Sequence, residues 1–305
     1  MADVATREFS ARDEAILAQL GQLASVALVN AQLYGRERHI AHVLQRSLLP
    51  LALPTIAGLG AGVRFWPAGE GIEVGGDFYD LFAARDGAYA VLIGDVQGKG
   101  PEAAAVTALA RHTLRAAAAY EARPAHVLGL LHRALREERS DGRFCTVAYG
   151  QLRMTRDGAE LTLACGGHPL PFVVRRDGGV EPVGRLGTLL GSDVEPQLTD
   201  VTVELAAGDV VVLYTDGVTE VRRRRQEIFG YRELVEVLRA CAGLDPDAIA
   251  ERVEQAVLAA AAGKPRDDIA ILALGPRGLE AAAPAILAGA AKALDEARTA
   301  KEDDA

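Results

Sequence analysis

Four aspartates share one local setting. Asp77 lies in Val74-Gly75-Gly76-Asp77-Phe78-Tyr79-Asp80, and Asp95 ends Val91-Leu92-Ile93-Gly94-Asp95 before Val96-Gln97-Gly98-Lys99-Gly100. Asp216 follows Val210-Val211-Val212-Leu213-Tyr214-Thr215 and precedes Gly217. Asp267 and Asp268 open a last apolar run after Lys264-Pro265-Arg266. A carboxylate at the end of a buried strand is costly unless it is paired or holds a cation. The adjoining glycines let backbone, ligand or metal come close. Hard carboxylate oxygens without His or Cys favour Mg²⁺ or Mn²⁺ over zinc. Several carboxylates at one rim can hold two such ions, which activate a water and clamp a phosphate.

Taken singly, each Asp-Gly reads first as a turn. The segment 95–100 suggests a phosphate-binding loop but fails as one: three residues separate Gly94 from Gly98, and no Ser or Thr follows Lys99. His39 and His42 fall on a long helix and read as solvated, and His112, His126 and His132 lack a partner at metal spacing. His168, in Cys165-Gly166-Gly167-His168-Pro169, is placed to donate a proton, but a structural hydrogen bond is the plainer reading. No Gly-x-Ser-x-Gly elbow supports covalent catalysis. The basic run at 222–225 reads as a solvated turn or an attractor for a phosphoprotein.

The elements that must position these residues follow from the pattern. The first fifty residues read as one helix, with Ser10 as N-cap, Asp13 and Glu14 at its positive end, and Pro50 as its stop. Alternating steps of four and three give the seam Ile16, Leu20, Leu23, Ala27, Asn30, Tyr34, Glu37, Ala41, Leu44 and Leu48. That is the signature of a two-stranded coiled coil, with Asn30 and Glu37 as polar interruptions; docking on its own domain is the alternative. Short strands are predicted over 63–66, 78–82, 89–94, 144–152, 160–165, 171–176, 201–205, 209–214 and 268–274. Helices are predicted over 101–120, 124–139, 231–241 and 246–262, with an Ala-rich helical tail over 279–300. Hairpin-linked strands with inserted helix pairs imply an α+β fold, two antiparallel sheets covered by helices, rather than a doubly wound parallel sheet.

The chain has 305 residues, with 33 Lys and Arg against 42 Asp and Glu and a formal net charge of −9. An acidic chain argues against nucleic acid. Purely apolar runs such as Val210–Tyr214 fall short of a bilayer span, so no membrane segment is expected, nor is a signal peptide. Three separated cysteines (Cys145, Cys165, Cys241) argue against a disulfide framework and for a reducing cytoplasm.

As a set, Gly-Gly-Asp77-Phe-Tyr-Asp, Gly94-Asp95-Val96-x-Gly98-Lys99-Gly100, Phe144-Cys145-Thr146-Val147, Cys165-Gly166-Gly167-His168-Pro169, Tyr214-Thr215-Asp216-Gly217-Val218-Thr219-Glu220 and Arg266-Asp267-Asp268-Ile269 resemble the metal-dependent PPM (PP2C-like) serine/threonine phosphatases. The branch is similar to the bacterial sporulation and stress-response one, of the SpoIIE and RsbU type. The helix before it resembles the last helix of a GAF sensor domain. The resemblance implies an α-β-β-α sandwich at 50–275, preceded by the long helix at 1–49 and followed by a tail at 276–305. It implies two Mg²⁺ or Mn²⁺ ions, with Asp95 bridging both, the Val96 carbonyl on one, and Asp77, Asp216 and Asp267 completing the set; Asp268 is the alternative to Asp267. Asp95, Asp77 and Asp216 would be the catalytic carboxylates. The eukaryotic branch has a His soon after the bridging aspartate, where this chain has Val96-Gln97-Gly98. The implied substrate is a phosphorylated STAS-type anti-sigma-factor antagonist, while the Ile16–Leu48 seam predicts a homodimer through the N-terminal helix and the cysteines a cytoplasmic protein. The rival expectation is a dimeric scaffold that binds the phosphoprotein without turnover.

Overall fold

The structure is a computed structural model that describes residues 10–67, 75–138, 142–222, 228–262, 265 and 267–277, without the side chains of 13, 37–47, 222 and 228. In chain order it runs α1 (Ala11–Leu48), β1 (Leu59–Trp66), β2 (Asp77–Ala83), β3 (Tyr89–Val96), α2 (Pro101–Ala118), α3 (Pro124–Glu137), β4 (Cys145–Met154) and β5 (Gly158–Gly166). It continues through β6 (Phe172–Val174), β7 (Val180–Pro182), β8 (Val201–Ala206), β9 (Val210–Tyr214), β10 (Val221–Arg222), β11 (Ile228–Phe229), α4 (Tyr231–Arg239), α5 (Pro246–Ala260) and β12 (Ile269–Pro276). The predicted tail helix and most of the basic run at 222–225 lie outside the described residues.

Two five-stranded antiparallel sheets stack face to face, ordered β2-β3-β4-β5-β8 and β1-β12-β9-β6-β7. Strand alternation divides their side chains between three apolar layers. Tyr79, Leu81, Val91 and Ile93 of one sheet meet Leu213, Ala270 and Leu272 of the other in the central layer. On the outer face of the first sheet, Phe78, Leu92 and Tyr149 pack under Ala110, Leu114 and Leu131 of α2 and α3. On the outer face of the second, Val212 and Ile271 pack under Leu234 of α4 and Val253 of α5. Pro at the first turn of α2, α3 and α5 and the Asp245 cap of α5, which accepts from the Asp247 and Ala248 N–H groups, start these helices. The result is the expected α-β-β-α sandwich. The β6–β7 hairpin continues the second sheet beyond the predicted strands, and β1 begins four residues earlier than predicted, at Leu59.

The N-terminal helix forms as predicted and stands away from the sandwich over its first turns. Its seam residues Ile16, Leu20, Leu23 and Tyr34 are 46–67% exposed, as are Leu17, Val26, Val29 and Leu33 off the seam. The helix is therefore not docked along its own domain over 16–34. It is anchored at its C-terminal end, where Leu48 meets Ala104 of α2 and Leu49 packs against the central layer. By length and composition alone, residues 14–36 also meet the criterion for a membrane-crossing helix, with a mean hydropathy of 1.3. The expectation of no such segment rested on uninterrupted apolar runs. This stretch instead intersperses Gln19, Gln22, Ser25, Asn30 and Gln32 among its apolar residues, so only its average qualifies.

Candidate active site

The five acidic residues singled out by the sequence gather at one end of the two sheets. Asp77 opens β2 and Asp95 lies near the end of β3, and the antiparallel register sets them directly opposite one another. Residues opposite in register share a face, and Tyr79 and Ile93, two positions along, point into the layer between the sheets. Asp77 and Asp95 therefore face the other sheet. From that sheet, Asp216 starts the short 3-10 turn after β9, and Asp267 and Asp268 precede β12. Asp268 is in phase with Ala270, Leu272 and Leu274 of the central layer, so it points inward and is 4% exposed. Asp267 is one residue out of phase. Its side chain is 60% exposed at the rim, 3.3 Å from the Lys99 ammonium.

The Gly75-Gly76 pair ahead of Asp77 makes room for this crowding. A Cβ on Gly75 would lie 1.4 Å from Asp268 Oδ2. A Cβ on Gly76 would lie 2.1 Å from the Val96 carbonyl oxygen and 2.5 Å from Asp95 Oδ1. Only a residue without a side chain lets the backbone run this close to those oxygens. The Gly76 carbonyl in turn accepts the Val96 N–H at 3.2 Å.

The carboxylates are felt through their charges. Burial, then Asp95 and Asp268, push Asp77 well above the usual carboxylate range, and the Thr215 hydrogen bond pulls the other way. Burial and the charges of Asp216, Asp267 and Asp268 push Asp95 up to about 7, opposed by a hydrogen bond with Asp77. Asp216 is raised by burial, then by Glu220 and Asp267. Among the described residues no three acidic, His or Cys side chains form a ready-made metal cage. Like charges at one cleft spread apart, and Lys99 holds Asp267 at the rim. A set of hard oxygens with raised affinity for positive charge, around a cradle that a single Cβ would fill, fits a divalent cation of the Mg²⁺ or Mn²⁺ kind.

His168 is not a proton donor to this cleft. It is 1% exposed and spans the two sheets, with Nε2 3.1 Å from the Tyr214 carbonyl and Nδ1 2.8 Å from Thr146 Oγ1. The carbonyl can only accept, so Nε2 carries the proton and Nδ1 accepts from the threonine. Burial drives its pKa down to about 3, which keeps the ring neutral. Thr146 sits opposite Asp95 in the β3–β4 register, so this bridge braces the strand beside the cleft.

Sequence reasoning missed three contacts. Thr215 hydrogen-bonds Asp77 across the sheets, Lys99 pairs with Asp267, and the buried Asp80 is clamped by Arg111 and Arg115 of α2. Thr215 was inside a motif already read, but its partner is 138 residues away.

An α-β-β-α sandwich with a carboxylate-lined cleft at one end of its sheets defines the PP2C-like class of protein folds. The SiaA-PP2C domain of Pseudomonas aeruginosa superposes with a TM-score of 0.68 at 22% identity, over 83% of this chain and 99% of that one. The RsbU and RsbW domains of Rv1364c from Mycobacterium tuberculosis superpose with a TM-score of 0.65 at 26% identity, over 75% and 63%. The profile described as Stage II sporulation protein E (SpoIIE) matches residues 85–277, and the chain belongs to that family. That span holds Asp95, Asp216, Asp267 and Asp268, while Asp77 lies just before it. The phosphoserine phosphatase RsbU of Bacillus subtilis (strain 168) is 28% identical over 187 residues, which is 61% of this chain and 54% of RsbU. The chain spans between about a third and about half the length of the curated relatives it matches.

Proposed function

We propose that this chain is a Mg²⁺- or Mn²⁺-dependent protein serine/threonine phosphatase. The observation that carries the reading is the direct cross-strand pairing of Asp77 with Asp95, facing Asp216, Asp267 and Asp268 from the opposite sheet. The ligand set is Asp77, Asp95, the Val96 carbonyl, Asp216 and Asp267, with the catalytic carboxylates Asp95, Asp77 and Asp216 among them and Asp268 lining the inner wall. When bound, a pair of such ions supplies an activated water and positive charge for an in-line phosphoryl displacement. The chain's own part is to hold those carboxylates on two braced sheets, leave space at Gly76 for the Val96 carbonyl, and keep the Lys99 cation at the mouth. A dianionic phosphate meets a formally acidic protein there only because the cleft's negative charge is neutralised locally.

The substrate class is a phosphoserine or phosphothreonine on a small regulatory protein, an anti-sigma-factor antagonist of the STAS type. Support comes from the likeness to RsbU, named a phosphoserine phosphatase, and to a protein in which an RsbU domain is joined to an RsbW domain. Hydrolysis of p-nitrophenyl phosphate and of a phosphoserine protein with Mn²⁺ tests the reading. Asp95→Asn and Asp216→Asn should each lower kcat by about 10²–10³ or more, the scale of a lost preorganised charge. Wild-type rates in both variants contradict the assignment. Partner binding that is unchanged in EDTA, with no turnover in any protein, would favour a scaffold instead.

The exposed seam of α1 supports a homodimer, with a second copy of the helix covering Ile16, Leu20, Leu23 and Tyr34 and with 1–49 acting as a unit ahead of the phosphatase domain at 50–275. The three free cysteines, Cys145, Cys165 and Cys241, support a reducing, cytoplasmic setting. Deleting residues 1–40 should halve the mass seen in sedimentation without detergent. An unchanged mass, or a full-length chain that stays dispersed only in detergent, rules out the helix pair.

A further inference from the structure

We infer that Thr215 is a positioning residue for metal binding: its hydroxyl locks the Asp77 carboxylate across the gap between the sheets. The inference rests on the phosphatase reading, in that it takes Asp77 as a metal ligand. Thr215 is fully buried at the end of β9. Its Oγ1 lies 2.6 Å from Asp77 Oδ2 and 3.0 Å from the Ala270 backbone nitrogen. A hydroxyl has one proton and two lone pairs. The Ala270 N–H can only donate, so it occupies one lone pair, and an ionised Asp77 can only accept, so the hydroxyl proton goes to Asp77. The two partners together fix the direction of the bond.

The threonine itself is held from both sides. Its own N–H donates to the Ala270 carbonyl at 3.1 Å, so Thr215 and Ala270 exchange hydrogen bonds around a rigid strand end. A β-branched side chain has few χ1 choices, which keeps the hydroxyl aimed. Asp77 belongs to the first sheet, and Thr215 and Ala270 to the second. The bond therefore fixes one carboxylate oxygen and orients the other for a ligand. It also ties the two halves of the ligand set together at the cleft. Partners that orient metal ligands in this way commonly set about 10–100-fold in metal affinity.

The experiment is Mn²⁺ titration calorimetry on the full chain, comparing wild type, Thr215→Val and Thr215→Ser, with the melting temperature of each in EDTA. Valine keeps the shape and removes the donor; serine keeps the donor. Thr215→Val should bind Mn²⁺ about 10–100-fold more weakly, while Thr215→Ser retains wild-type affinity. If the valine variant does not fold, Thr215→Ala carries the same expectation. A lower melting temperature with unchanged Mn²⁺ affinity marks a merely structural bond and overturns the inference. A serine variant as weak as the valine one overturns it too. A wild-type chain that takes up no Mn²⁺ overturns the phosphatase reading along with it, so the two failures are distinct.

Discussion

Asp77 and Asp80 sit three residues apart on the same strand, and both are buried, at 5% and 0% exposure. An odd spacing sends them to opposite faces of the sheet. Asp80 faces α2, where Arg111 and Arg115, one helical turn apart, reach it with bonds of 2.7–2.9 Å. Its Oδ1 also accepts the Leu81 N–H at 2.9 Å, and Arg115 lies over the Phe82 ring. Asp77 faces the other sheet, among the charges of Asp95, Asp268 and Asp216. Burial of an acid is therefore not by itself the mark of a site. The sign of what surrounds it is: cations make Asp80 a structural brace, and crowded carboxylates make Asp77 a place that wants a cation.

The comparison breaks if the two aspartates respond alike. Asp80→Ala should cost roughly 3 kcal/mol in urea unfolding, because it leaves two guanidinium groups over an apolar helix–sheet interface. The Arg115 side chain is 41% exposed and can rehydrate, which holds the loss to the lower end of the usual range. Mn²⁺ affinity should change little. Asp77→Asn should do the opposite: in EDTA it leaves the melting temperature unchanged or higher, since it removes a crowded carboxylate, and it abolishes the rise that Mn²⁺ gives wild type. A loss of stability in Asp77→Asn as large as in Asp80→Ala would erase the distinction.

Most of the fold was legible because hairpin turns and helix starts are local signals. Asp157-Gly158 stands at the β4–β5 turn and Asp177-Gly178 at the β6–β7 turn, and prolines at 101, 124 and 246 stand where three helices begin. The two-residue strands β10 and β11 were too short to leave a pattern. The gathering of aspartates was legible because each stands at a strand end, and Asp77, Asp95 and Asp216 each adjoin a glycine. The choice between Asp267 and Asp268 was not. The strand after them reads Ile-Ala-Ile-Leu-Ala-Leu and is buried on both faces, so hydrophobicity gives no phase to say which aspartate turns inward. The Asp80 clamp was equally hidden, since its arginines lie 31 and 35 residues away on a different element. The seam of α1 was visible from its spacing, but a seam does not say what covers it.

The central claim is that the Asp77–Asp95 cleft holds a divalent cation, and proton competition tests it most directly. Asp95 binds its proton up to about pH 7 when folded and only up to the ordinary carboxylate range when unfolded. Between those limits the folded state holds the extra proton, so without metal this group's contribution to stability falls as pH rises through the window. A cation must displace that proton, and its affinity therefore rises with pH until about 7. Mn²⁺ titration calorimetry from pH 6 to pH 8 should show affinity rising roughly tenfold and then levelling. Asp95→Asn should show no binding at any pH. A wild-type affinity that is flat across this range, or an Asp95→Asn variant that binds as wild type does, would contradict the account.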